Sequence, residues 1–155
     1  MKLATVLRLD DSDENVFERA AQPGEWAIPG GFAFSNWDES DVVGQNRQAF
    51  ANGWLGLESF GRATFVAVCP IAEAEYGALI DRLAIHFVEA WGAPGFEAAR
   101  PVAEEELRHM REMCEDHDDN TLIIVERELV AAGLTEKFRV IVPGEARIED
   151  IAGHG

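Results

Sequence analysis

Leu3, Thr5, Leu7 and Leu9 alternate along the start of the chain, so residues 2–9 are predicted to form a strand with one apolar face. Asp10-Asp11-Ser12-Asp13-Glu14-Asn15 reads as a turn, residues 16–20 as a short strand, and Gln22-Pro23-Gly24 as a second turn. Trp26, Ile28, Phe32 and Phe34 share parity and are expected to line one sheet face. Pro29-Gly30-Gly31 interrupts them and marks a bulge, an edge or a bend. Ser40 or Asp41 suits the cap of a helix reaching about Leu55, with Val43, Phe50, Trp54 and Leu57 at helical spacing.

Residues 64–69 are apolar on both faces, which predicts a central strand. Pro70 then opens a second helix, with Tyr76, Leu79, Ile80, Leu83, Phe87 and Trp91 as its buried stripe. Gly92 and Pro94 end it. A short turn or helix runs through residues 96–100. Pro101 is expected to open a third helix to about Asp118, buried along Ala103, Leu107, Met110, Cys114 and His117. Residues 121–129 and 137–142 read as an antiparallel hairpin with a longish loop at Ala132-Gly133-Leu134. That hairpin is expected beside the strand at 64–69 or the strand at 2–9. Residues 143–155 are expected to form a loosely held tail. Strands early and late, with helices between them, predict one α+β domain over residues 1–155: a mainly antiparallel sheet with about three helices packed on it.

Charge narrows the partners. The chain holds 13 Lys and Arg against 29 Asp and Glu, a formal net charge of −16. Such a field repels nucleic acid and anionic membranes, and no run of Lys or Arg offsets it locally. A homo-oligomer, a basic protein partner or a bound cation is compatible with it. The two cysteines, Cys69 and Cys114, form no CxxC pair. The N-terminal apolar run is too short for a signal peptide, and no stretch is apolar enough to span a membrane. These features place the chain in a cytoplasm with reduced thiols.

The densest candidate chemistry lies on the third helix. Glu105 and Glu106 are four and three residues before His109, and Cys114 is three before His117. Glu-x-x-His is the spacing of di-metal sites in helical bundles, which need a second such motif on another helix. His86 and Glu89 on the second helix have that spacing in reverse order. His109, Cys114 and His117 are therefore the metal candidates, with Zn²⁺ the ion their donors suit. They cannot all reach one ion from a single straight helix, so His86 or another element would have to contribute. The competing reading takes Glu104, Arg108, Glu112, Arg111 and Glu115 as ordinary surface pairs, and Cys114 as a small apolar group in the stripe. That reading is the expectation, and no metal or other cofactor is expected.

Glu115, Asp116, Asp118 and Asp119 crowd the negative end of this helix's dipole. They are solvated, or they face a cation, a basic partner or an Arg from elsewhere in the fold; solvation is the expected answer. The run from Asp11 lacks the glycine and the Glu of an EF-hand. Phosphate-loop, dinucleotide and GxSxG patterns are absent. Neither cysteine has a thiolate-stabilising neighbour in sequence. Aromatic residues concentrate between Trp26 and Phe65, with Trp37 and Trp54 the candidates for contact with a ligand or partner.

Three segments are familiar together: Phe17-Glu18-Arg19-Ala20-Ala21-Gln22-Pro23-Gly24-Glu25-Trp26, Gly53-Trp54-Leu55-Gly56-Leu57-Glu58-Ser59-Phe60-Gly61, and Glu136-Lys137-Phe138-Arg139. Through them the chain resembles a family of small, acidic, functionally uncharacterised bacterial proteins. The resemblance implies a bacterial, cytosolic, single-domain protein and carries no activity, cofactor or catalytic residue with it. The reading that follows is a non-catalytic accessory or binding protein that self-associates. The alternative is a metal-binding or metal-dependent protein using residues 101–119.

Overall fold

Phe65–Pro70 is an inner strand, paired with Lys2–Leu7 on one edge and Leu122–Val130 on the other, and its Val66 and Val68 side chains are buried. The computed structural model describes residues 1–141. Along them run β1 (Lys2–Leu7), α1 (Ser12–Val16), β2 (Ala27–Ile28), a 3₁₀ turn (Gly31–Phe34), α2 (Gln45–Asn52), β3 (Trp54–Gly56), β4 (Arg62–Ala63), β5 (Phe65–Pro70), α3 (Glu73–Ala90), α4 (Phe96–Glu115), β6 (Leu122–Val130) and β7 (Gly133–Ile141). The larger sheet has the order β1-β5-β6-β7 and the smaller one β2-β3-β4. All of these strand pairs are antiparallel. The fold is α+β, and the hairpin lies beside β5, as the pattern predicts.

α3 packs on α4, α4 crosses β1, and α2 lies against β6. Leu83, Phe87, Leu107, Met110 and Cys114 are all buried, so both long helices present the stripe read from their spacing, except that His117 lies past the end of α4 and is half-buried. They share one core with Val66 and Val68 of β5 and with Ile123 and Val125 of β6.

Several local expectations are corrected. Residues 16–20 are not a strand. Ser12–Val16 forms a helical turn, helped by acids in its first turn, and the Asp13 carboxylate receives the Thr64 hydroxyl at 2.7 Å. The face expected from Trp26 to Phe34 holds only Ala27–Ile28 in strand form. Gly30 sits at φ +66°, where the chain leaves the sheet and winds into the 3₁₀ turn. α2 begins after Gly44 and stops at Asn52, so Trp54 lies in a strand, opposite Ala63. Pro101 does not open the third helix. It stands inside a continuous α4, whose earlier residue Ala99 already extends the buried stripe. Trp91 is not on the α3 stripe either; it follows the last helical residue and is 49% exposed. The hairpin loop is short, since Val130 pairs with Gly133. The tail expected at 143–155 lies outside the described residues. No helix among the described residues is long and apolar enough to cross a membrane.

Candidate functional site

The β6–β7 register decides which side chains of the hairpin face the core. Ile123 pairs with Val140, Val125 with Phe138, Arg127 with Glu136 and Leu129 with Leu134. Leu134, Glu136 and Phe138 therefore share the inner face with Arg127. Across from them, Glu106, His109 and Met113 recur at helical spacing along α4, beside the buried stripe. The segment from Ile28 to Phe32 and Ser35 closes the third side. Together they enclose a cleft of about 670 Å³.

Two arginines, Arg127 buried and Arg62 half-buried, hold the Pro29–Gly30 side of it in place. Arg127 Nε donates to Glu136 Oε2 at 2.7 Å, Nη1 donates to the carbonyl of Gly53 at 2.8 Å, and Nη2 to that of Pro29 at 2.5 Å. Arg62 donates to the same two carbonyls at 3.3 Å for Pro29 and 3.2 Å for Gly53, and to Gly30 at 3.2 Å. Both guanidinium groups lie over the Phe34 ring, at 4.6 Å for Arg62 and 5.1 Å for Arg127. Burial, and then the charge of Arg127, pull the Arg62 pKa down to about 9, which leaves it protonated at neutral pH. Burial lowers Arg127 as well, and Glu136 opposes that. This knot holds Pro29 and Gly30 against β3. A Cβ on Gly30 would stand 2.5 Å from Leu55 Cβ, and its φ is positive, so the wall comes this close to β3 only as glycine; a Cβ on Gly31 would stand 2.6 Å from Glu136 Oε2 and displace that carboxylate.

The one polar wall group without a partner is Glu106. It is half-buried, and no hydrogen bond holds its carboxylate among the described residues. Burial raises its pKa first; the charges of Glu136 and Glu105 add to this and His109 opposes it. Burial removes part of the solvation such a carboxylate needs, and of its charged neighbours His109 alone offsets this. His109 itself is exposed and sits 3.3 Å from Glu105, not from Glu106. Ser35 and Glu136 also line the cleft, and Ile28, Phe32, Met113, Leu134 and Phe138 supply its apolar surface.

The residues singled out from sequence do not converge. Trp54 is wholly buried rather than at a surface; its ring packs 5.7 Å from Phe138, and its indole N–H has no acceptor among the described residues. Trp37 is half-buried, edge-on to Phe34 at 4.8 Å and stacked on Phe50 at 6.2 Å. Cys114 is buried, with its thiol pushed up to about 12 by burial and by Glu115. Cys69 is also raised, by burial, Asp119 and Glu75. His86 stacks on Phe60 at 3.7 Å, far in sequence and contact from His109, Cys114 and His117. Among the described residues no three His, Cys, Asp or Glu side chains are placed to hold a metal ion.

The acidic end of α4 finds its counter-charge in β1. Lys2 Nζ donates to the His117 carbonyl at 2.7 Å and stands 3.4 Å from Asp119. A lysine 115 residues away answers the helix dipole here, a partner the local sequence did not offer. Of the cleft residues, the sequence pattern marks only His109 as a ligand candidate, with Glu106 at helical spacing from it. The parity of Arg127 with Ile123 and Val125 was the signal that it points inward.

The chain belongs to a family of unknown function (DUF6505), whose model matches residues 1–155. No curated protein and no solved structure matches it.

Proposed function

We propose that this member of a family of unknown function is a non-catalytic binding protein that holds a small amphipathic organic cation in the cleft between α4 and β7. The observation that carries this reading is Glu106, a half-buried carboxylate without a hydrogen-bond partner among the described residues, set beside the apolar side chains of Ile28, Phe32, Met113, Leu134 and Phe138. An ammonium group placed against it would restore the solvation that burial removes. Phe32 and Phe138 add ring surfaces that attract a cation. The net charge of −16 draws cations toward the protein from a distance. A volume near 670 Å³ falls within the size range of small-molecule sites. Nucleophilic chemistry has no support, since both thiols are held in the protonated form. The two free thiols suit a reducing compartment such as a cytoplasm.

The test is a titration with phenethylamine followed by NMR of the methionine methyls and backbone amides. The expected result is saturable shifts at Met113, Phe32 and Phe138, with phenylpropionate, the anion of similar shape, producing none. Equal responses to both probes, or shifts confined to other surfaces, would remove the reading.

Self-association is the second reading. Ile85, Trp91, Phe96 and Val102, on or beside α3 and α4, are large apolar side chains left between 41% and 55% exposed. Sedimentation should then show a dimer that dissociates on Phe96→Glu; a monomer at every concentration would sink it.

A further inference from the structure

Phe32, a wall of the cleft, is held from outside by an aromatic chain that ends on a histidine. Its ring meets Phe87 edge-on at 5.0 Å and Trp91 edge-on at 5.6 Å. Phe87 is buried and fixed in α3; Trp91 is half-exposed just past the end of that helix. The Trp91 side chain is tied by one polar contact: its Nε1 donates to His86 Nε2 at 3.2 Å. The His86 ring in turn lies flat on Phe60, 3.7 Å between centroids and 2° from parallel. Gly92, at φ +73°, follows Trp91 directly, so the backbone there is a turn and not a continuing helix.

An indole N–H can only donate, and a protonated imidazole carries N–H on both nitrogens and accepts nothing. The Trp91–His86 bond therefore exists only with neutral His86. We infer that His86 is a pH-sensitive latch: in its neutral form it holds Trp91 and, through Trp91, the Phe32 wall of the cleft, and protonation releases both. This inference rests on the cleft reading above.

The surroundings favour the neutral form at neutral pH. Burial lowers the His86 pKa most, Arg19 lowers it further, and Glu89 opposes. Asp81 and Arg82 line the same shallow recess with Phe60 and offer one charge of each sign. A histidine with a depressed folded pKa leaves stability intact at high pH. Stability falls as pH drops below the ordinary value of 6.5, where the unfolded chain takes up the proton first. Acidification therefore weakens the latch and the fold around it together.

The experiment follows the Trp91 indole N–H by NMR in the ligand-free protein, from about pH 8 to about pH 5. In the wild type the signal should move in a single titration with its midpoint below 6.5, and the Phe32 ring signals should move with it. His86→Gln keeps an acceptor for the indole and cannot titrate, so in that variant the signal should stay in place. A wild-type signal that does not titrate, or one that titrates equally in H86Q, overturns the latch. Phenethylamine binding near pH 5 should be at least about threefold tighter in H86Q than in the wild type, because the competent cleft is then fully populated. Equal affinity there also overturns the latch. If phenethylamine binds neither protein at any pH while the indole still titrates, the cleft reading fails and the His86–Trp91 coupling stands as a local switch.

Discussion

Arg127 and Glu136 stand opposite each other in the β6–β7 ladder, 2.7 Å apart, and the Arg127 side chain has no exposed surface. A fully buried guanidinium is tolerated because each of its three nitrogens has an acceptor: Nε the carboxylate, Nη1 the carbonyls of Phe50 and Gly53, and Nη2 that of Pro29. The ion pair thus ties the edge hairpin to the segment that forms the opposite wall of the cleft.

Removing Arg127 should accordingly disturb more than one contact. Arg127→Ala is expected to lower stability by about 3–5 kcal/mol, because Glu136 loses its counter-charge, the Phe50 carbonyl loses its donor, and Pro29 and Gly53 keep only the longer bonds from Arg62. Arg127→Lys should recover only part of this, since an ammonium cannot reproduce the fork. Denaturant unfolding of the three proteins checks the order; a lysine variant as stable as the wild type would contradict it.

Glu106 should show the opposite behaviour. Its folded pKa is raised, so the ionised form is disfavoured in the fold, and stability falls as pH rises through that value. Glu106→Gln should then melt at a higher temperature than the wild type near neutral pH, and at the same temperature below about pH 4.5, where the wild-type carboxyl is also neutral. Melting curves at the two pH values read this directly. A variant less stable than the wild type at neutral pH would mean that Glu106 has a partner.

Cysteine reactivity tests the burial pattern independently. Cys114 should resist iodoacetamide in the native protein and react only on unfolding, while Cys69, half-buried with a raised pKa, should react slowly. Mass spectrometry of the quenched protein follows both sites. Rapid native labelling of Cys114 would show that the α4 stripe has been assigned to the wrong face.

The long elements were legible because their signals are local and repeated. Tyr76 to Phe87 and Ala99 to Cys114 carry their stripes over several turns, and Val66 and Val68 sit in an unbroken apolar run. The short elements were not. β2, β3 and β4 hold two or three residues each and are fixed by Arg62 and Arg127, which bond carbonyls far away in sequence. Helical spacing at Phe50, Trp54 and Leu57 therefore pointed to one long helix, where tertiary contacts instead make a helix and a strand. Of the cleft, only the Glu106–His109 spacing on α4 was similarly visible. The apposition of these residues to Leu134, Glu136 and Phe138 comes from non-local packing, which no window of the sequence contains.

The central claim is that Glu106 pairs with a cation inside the cleft, and calorimetric titration of phenethylamine into the wild type and Glu106→Gln at neutral pH tests it most directly. The predicted result is measurable binding to the wild type and at least about tenfold weaker binding to the variant, the loss expected when a charge-assisted bond worth roughly 1.5–3 kcal/mol is removed. Equal affinities for the two proteins would contradict the account.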